Sequence, residues 1–460
     1  MTTTSITMAR HFIAQILFAT VMIIFTASSC KKTTDVINNS SSNHFIPFPP
    51  DVLDKWMTME IRLMRNATGI PNQAFTRHFV YAGIAAFESL GPGIPAHDYW
   101  SAKWNGLTGL PAVDHSMQHY YPANVNAAMA YMNKALFLNA SEADKAAIDS
   151  LQNALNQEFL ATQSQSLIDI SAAFGKSVAT AVFNWAETDG YKNAGRPYTI
   201  PTGDGLWVPT SPAFANPVTP YWGENRLVIK GSINYTQPNA PIAYSTDPTS
   251  AFYQMVKQVY DASQNLTGDQ KAMAMFWRDV PGVTSPGHWL SIVQQVVRKT
   301  NASLDKAALA YALVGAAMND GIISCWQTKY QYNLVRPITY IRNVMGYTSW
   351  NSYLTTPAHP EYSSAHAVLS VAAADVIEAL FGNVGSFTDH TYDYLGFVPR
   401  TYNSFIAIGE EAARSRLYAG IHYQPSIDIG IEQGRKVAEN ILNTENKKDT
   451  VDDSKGPNIN

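Results

Sequence analysis

Pro360-Glu361-Tyr362-Ser363-Ser364-Ala365-His366-Ala367-Val368-Leu369-Ser370-Val371-Ala372 changes character at its centre. Proline and hydroxyl residues come first. Then Ala367, Val368, Val371, Ala372, Val376 and Leu380 recur three and four apart, the spacing of one apolar helix face. Ser363 or Ser364 is a natural N-cap for a helix over 363–381. The first N–H groups of a helix have no internal acceptor and sit at the positive end of its dipole. Such a turn is an anion site by construction; a plain capped helix with a partly exposed His366 is the alternative reading.

Helical periodicity continues on both sides. Upstream, 51–65, 74–90, 123–138, 142–160, 165–187, 249–262, 267–278, 287–299 and 303–330 read as helices; downstream, 402–419 and 425–443 do. Alanine is frequent and β-branched alternation scarce, which favours helix over strand. The sum is an all-α chain, a multi-helix bundle of about a dozen helices. Residues 190–248 break the pattern. Pro197, Pro201, Pro209, Pro212, Pro217, Pro220, Pro238 and Pro241 exclude a continuous helix there. With Trp207 and Trp222 inside it, this loop is either a packed cover over a pocket entrance or surface padding.

A 460-residue chain with 46% hydrophobic and 15% charged residues can bury a large core under a mostly neutral polar surface. Its net charge of −4 gives no basic face for nucleic acid. Cys30 and Cys325 are the two cysteines and sit in unlike contexts, so neither a disulfide framework nor a cysteine zinc site is expected.

Residues 1–29 read as a signal peptide: Arg10, then a mostly apolar run from Phe12 to Phe25 that is too short to span a bilayer comfortably. Ala27-Ser28-Ser29 before Cys30 fits lipoprotein processing, with Cys30 lipidated; an ordinary secretory signal is the alternative. Residues 30–45 are then a polar tether, 46–445 one helical domain, and 446–460 a disordered tail. No other run approaches ~20 apolar residues. The expected location is outside the cytoplasm, as a cell-envelope lipoprotein or a secreted protein, with a lipid anchor as the sole membrane contact.

Two further stretches carry chemistry. Lys329 and Arg336 are seven apart, which on a helix returns to nearly the same face. Pro337 would end that helix at Arg336. A guanidinium fork and a compact ammonium both suit an oxyanion, although such pairs are also common on surfaces. In Ser415-Arg416-Leu417-Tyr418-Ala419-Gly420-Ile421-His422, Gly420 lets a helix stop so that His422 can turn toward the side of Arg416.

Taken together, K-x6-R-P, S-x-H before a helix, and S-R-x3-G-x-H resemble the vanadium-dependent haloperoxidases and the related type 2 phosphatidic acid phosphatase superfamily, over roughly residues 310–440. Trp326, three before Lys329, adds to the likeness to the haloperoxidase branch. The resemblance implies vanadate as cofactor, with phosphate able to take its place, and His422 as the nitrogen ligand to the metal. Lys329, Arg336, Arg416, Ser364 and the N–H of Ala365 would bind the oxygens. His366 would be the acid–base group. Hydrogen peroxide, a halide and an organic acceptor would be the substrates. His359 falls where bromoperoxidases carry His, which favours bromide or iodide over chloride. The alternatives are a soluble acid phosphatase with a phospho-His422 intermediate and an inactive anion-binding lipoprotein.

The chain departs from the family pattern in places. Ala365 stands for the usual Gly and Ser363 for the usual Pro. Ser426 stands where the family often has an Asp that orients the ligand histidine. Ser426, Asp428 or a backbone carbonyl is therefore expected to hold the second ring nitrogen of His422.

Overall fold

A computed structural model describes residues 48–443, apart from 92–93, 95–96, 115–116 and 281. The signal segment 1–29, Cys30 with its expected lipid, the tether 30–45 and the tail 446–460 lie outside the described residues.

Among the described residues the chain forms fourteen α-helices. They are α1 Asp51–Asn66, α2 Ala74–Glu88, α3 His97–Ser101, α4 Tyr121–Leu136, α5 Glu142–Leu160, α6 Gln165–Ala186 and α7 Ala251–Gln264. There follow α8 Gly268–Phe276, α9 Thr284–Thr300, α10 Leu304–Tyr332, α11 Pro337–Asn343, α12 Ala365–Phe381, α13 Phe405–Tyr418 and α14 Gln424–Leu442. A small antiparallel hairpin, β1 Phe387–Asp389 and β2 Arg400–Tyr402, pairs Phe387 with Tyr402. The fold is all-α, as the periodicity implies.

Local sequence sets the helix starts. Ser141, Ser164, Ser250 and Ser404 each accept the backbone N–H three residues on, at the heads of α5, α6, α7 and α13. Thr267 and Gln270 form a reciprocal capping box at α8. The short helices α3 and α11 and the hairpin were not legible: they have too few residues for a period to show.

The core is built around α10. It packs against α2 and α12, and α12 in turn packs against α13 and α14. Two segments, Gln165–Asn193 and Leu304–Tyr332, are long and apolar enough to cross a membrane, which corrects the expectation of no such run. In the second, 94% of the apolar window is buried within the protein, so it is the core helix of this bundle.

One boundary matters for the site. The helix bearing Lys329 does not run on to Arg336. It stops at Tyr332, where Asn333 turns left-handed (φ 47°) and its amide side chain donates to the Tyr330 carbonyl. Arg336 then sits in extended backbone ahead of Pro337. A shared helix face is therefore not what brings Lys329 and Arg336 together; the sharp break at Asn333 does.

The 190–248 segment is packed rather than loose. Trp207 and Trp222 are fully buried. The Trp207 N–H donates to the Asn333 carbonyl, and the Val218 N–H to the Ala358 carbonyl. The buried carboxylate of Asp320 on α10 accepts the N–H groups of Val228 and Ile229 and the Ser232 hydroxyl. This ties the strap to the core helix and sets Val218 at the rim of the cavity described next.

Candidate active site

A cavity of about 310 Å³ opens between the start of α12, the 357–359 loop, the start of α9 and the strap. Trp326, His359, Ala365, His366 and His422 line it. Behind this lining lie Lys329, Arg336 and Arg416, which are 0%, 0% and 2% exposed. None has a carboxylate within ion-pair distance among the described residues. Charges of one sign held out of water without a counter-ion are costly unless something else compensates them.

His422 is fixed from both sides. After α13 ends at Tyr418, Gly420 takes φ +76° and the chain turns, so His422 faces away from the axis of α13. Its Nδ1 lies 2.7 Å from Oε1 of Glu361. Its Nε2 lies 3.3 Å from Nη1 of Arg336. A guanidinium only donates, so Nε2 carries the lone pair and Nδ1 the proton. Burial, then Arg336 and Lys329, push the imidazole well below its ordinary pKa, so it is neutral.

Here the sequence expectation is corrected. Asp428 is exposed and accepts from Gln424; it does not reach His422. Ser426 acts one step removed, its hydroxyl donating to Oε2 of Glu361 at 2.6 Å. Glu361 holds the ring. It lies 61 positions before His422 in sequence, so no local spacing pointed to it. Burial pushes its pKa up, while Arg336, the Ser426 hydroxyl, Lys329 and the Tyr423 N–H pull it down. With three donors aimed at it, the carboxylate form is the one the geometry holds.

Arg336 also donates from Nε to the His359 carbonyl, from Nη1 to the Ile421 carbonyl and from Nη2 to Nδ1 of His359. That last bond, at 2.9 Å, is shorter than the 3.2 Å from Nδ1 to the Pro360 carbonyl and favours the proton on Nε2 of His359; burial, Lys329 and Arg336 all depress its pKa. The ring lies 5.0 Å from that of Trp326. Lys329 Nζ donates to the carbonyls of Pro360, Glu361 and Ser363 at 2.6–2.9 Å. Burial pulls its pKa to about 7, yet three carbonyl acceptors demand the three N–H groups of an ammonium. Lys329 therefore brings a charge and also staples the loop that carries Ser364.

Ser364 occupies the N-cap position of α12 but makes no capping bond, which corrects the simple capping expectation. Its buried Oγ has no hydrogen-bond partner, and neither does the buried Nε1 of Trp326. Ala365 does not have the positive φ that would have required glycine. The turn is pressed in place by α14: a Cβ on Gly430 would sit 2.8 Å from the Ser364 carbonyl. Ser363 donates to Gln433 rather than toward the cavity.

Arg416 lies beside His366 rather than against His422. Its Nε donates to Ser415 Oγ at 2.9 Å and its Nη2 to the Ala274 carbonyl at 3.3 Å. Nε2 of His366 is 3.1 Å from the Trp277 carbonyl and 2.8 Å from Ser285 Oγ, which donates to Asp279. Burial, then Arg416, lowers the pKa of His366 to about 4, so it is neutral and able to accept a proton. Asp279 and Ser285, which lead from His366 toward solvent, carry no sequence signature and were missed.

The residues fit an oxyanion. Buried cations without a carboxylate in ion-pair contact, the unpartnered Ser364 hydroxyl and the open first turn of α12 are what an anion would complete. Comparison with known proteins agrees. Residues 309–448 match the family model for the second helical-bundle domain of VCPO. No curated protein matches by sequence. An apo bacterial vanadium-dependent chloroperoxidase is similar at TM-score 0.61 and 17% identity, over 81% of this chain and 94% of that one. Its holo counterpart gives 0.58 and 18%, over 80% and 91%; both speak to the fold alone. A bacterial vanadium-dependent iodoperoxidase is similar at TM-score 0.77 and 32% identity, over 87% of this chain and 98% of that one. At that identity over that span, the chain belongs to the vanadium-dependent haloperoxidase family.

Proposed function

We propose that the protein oxidises iodide or bromide with hydrogen peroxide, X⁻ + H₂O₂ + H⁺ → HOX + H₂O, with vanadate held through Nε2 of His422. The observation that carries this is the neutral, Nε2-bare imidazole set against Arg336, with two further buried cations close by and, among the described residues, no carboxylate within ion-pair distance of any of them. Arg336, Arg416, the Ser364 hydroxyl and the Ala365 N–H would bind the oxygens, while Lys329, its three N–H groups committed to carbonyls, would add its charge. Bound vanadate supplies Lewis acidity that polarises a peroxide oxygen toward attack by the halide.

The chain's own groups handle the protons. His366, neutral above pH of about 4, takes a proton from incoming peroxide and returns it to the departing oxygen. Ser285 and Asp279 lead from His366 to solvent and can reload it. The walls formed by Trp326, Ile322, Val218 and Pro286 limit water at the reacting atoms. His359 in place of an aromatic hydrocarbon, and the similarity to an iodoperoxidase at 32% identity, support iodide or bromide over chloride.

The test is peroxide-dependent iodination and bromination of a phenolic dye after loading with orthovanadate. Vanadium bound at one per chain without turnover of any halide would refute the reading. Rapid hydrolysis of nitrophenyl phosphate, blocked by vanadate, would favour the phosphatase alternative.

A further inference from the structure

A carboxylate has the wrong charge for an anion cup, yet Glu361 is completely buried in this one. It is also bolted down at every polar atom. Oε1 accepts from Nδ1 of His422 at 2.7 Å and from the Tyr423 N–H at 3.0 Å. Oε2 accepts from Ser426 at 2.6 Å. The backbone N–H of Glu361 donates to the Leu334 carbonyl at 3.0 Å, and its own carbonyl accepts from Lys329 at 2.9 Å. So many fixed contacts on a residue that repels the proposed ligand call for a compensating gain.

We propose that Glu361 is the positioning residue of this site. It holds His422 as the Nδ1–H tautomer and keeps the bare Nε2 turned to the Arg336 side, with Ser426 and the Tyr423 N–H fixing the carboxylate. The orienting acid thus comes from the loop before α12, not from the turn after His422. This rests on the anion-site reading of His422, and makes Glu361 essential for an oxyanion that bonds to nitrogen but not for one held by charge alone.

The two roles of Glu361 predict opposite signs. As a mere charge, its removal in Glu361→Ala or Glu361→Gln would strengthen the binding of every anion. As a positioning group, Glu361→Ala weakens vanadate by roughly 10–100-fold, the usual cost of losing such a partner, while phosphate binding holds or improves. Glu361→Gln rescues most of the vanadate affinity, because the amide oxygen can still accept from Nδ1–H. Should Glu361→Ala not fold, Ser426→Ala removes a single hydroxyl, frees Oε2 while leaving the His422 and Tyr423 contacts of Oε1 in place, and shifts the vanadate-to-phosphate ratio in the same direction by less.

Affinities come from calorimetric titration of the full chain with orthovanadate and with inorganic phosphate. Independently, ¹⁵N-histidine NMR of the anion-free protein, with the His422 signal assigned by its loss in His422→Ala, reads the tautomer. The expected result is protonated Nδ1 and bare Nε2 in the wild type and in Glu361→Gln, with mixed tautomers in Glu361→Ala. A protonated Nε2 in the wild type, or an unchanged vanadate-to-phosphate ratio in both Glu361→Ala and Ser426→Ala, overturns the proposal. A wild type that shows the expected tautomer but binds neither anion would instead sink the functional reading and leave the positioning role of Glu361 standing.

Discussion

Replacing Arg416 by Met should make the empty protein more stable and the enzyme worse. Burial lowers the Arg416 pKa from the ordinary guanidinium range to about 10, which corresponds to about 3 kcal/mol of unfavourable charging. Against this stand two hydrogen bonds, to Ser415 Oγ and the Ala274 carbonyl, worth about 1 kcal/mol each. Met keeps most of the stem volume, so deleting the charge should leave the anion-free protein about 1 kcal/mol more stable. The same change removes a charge-assisted bond to the oxyanion, worth about 1.5–3 kcal/mol, or roughly a 10- to 150-fold rise in vanadate Kd. Denaturant unfolding of both proteins, with and without orthovanadate, separates the two effects. The wild type should gain about 2.7 kcal/mol at vanadate a hundred times Kd, and Arg416→Met far less at the same concentration. An Arg416→Met protein several kcal/mol less stable when anion-free, with unchanged vanadate affinity, would mean that Arg416 is structural and the uncompensated-charge reasoning wrong.

Other consequences lie further out. Glu60 on α1 is fully buried beside the Tyr311 hydroxyl, and burial raises its pKa to about 8. It is therefore protonated in the fold where the unfolded chain has lost the proton, so its contribution is complete below pH of about 4.5 and is lost as pH rises to about 8. The loss is at most about 4–5 kcal/mol, and Glu60→Gln should flatten Tm against pH in that window. Gly430→Ala would place a Cβ 2.8 Å from both the Ser364 carbonyl and the Ala367 Cβ. It should cost about 1–3 kcal/mol and weaken vanadate binding without touching the anion, as thermal melts and titration would show. Asp320→Ala removes the acceptor for Val228, Ile229 and Ser232 and should cost at least about 3 kcal/mol, with new protease cleavage inside 190–248 on limited digestion.

What could be read from the sequence follows from the range of each interaction. Helices such as α9, α10 and α12 show themselves because their burial repeats within a few residues. The turn at Ser364-Ala365-His366 is legible for the same reason: hydroxyl, small residue and apolar run are neighbours. Glu361 is hidden although it sits inside that motif, because what gives it meaning is a contact with His422 made by tertiary packing. Asp279 and Ser285 meet His366 across 81 positions or more, and a lone Asp-x5-Ser pair has no period to announce it. The helical repeat that would pair Lys329 with Arg336 fails at Asn333, where a side-chain bond to the Tyr330 carbonyl and a left-handed turn end the helix.

The charge balance of the cup shows where its two possible oxyanion chemistries part. Lys329, Arg336 and Arg416 against Glu361 and Asp279, with His359, His366 and His422 neutral, leave three minus two, or +1. A phosphate group near neutral pH carries about −1.5 to −2, so a net positive cup attracts phosphate too and charge alone gives vanadate no advantage. Selectivity must then come from groups that respond to something other than charge. One is the bare Nε2, which can bond to a metal. Another is the space beside it. The cavity wall holds Trp326, with an indole N–H lacking a partner, among Ile322, Val218, Leu369 and prolines. A halide needs room and a neutral donor, and both are present there. The leaving group of a phosphoester needs a polar or charged hold, and none of the three cations is among the lining residues. The cup's charge explains why an oxyanion enters, while a wall without a cation favours halide oxidation over ester hydrolysis once one is there.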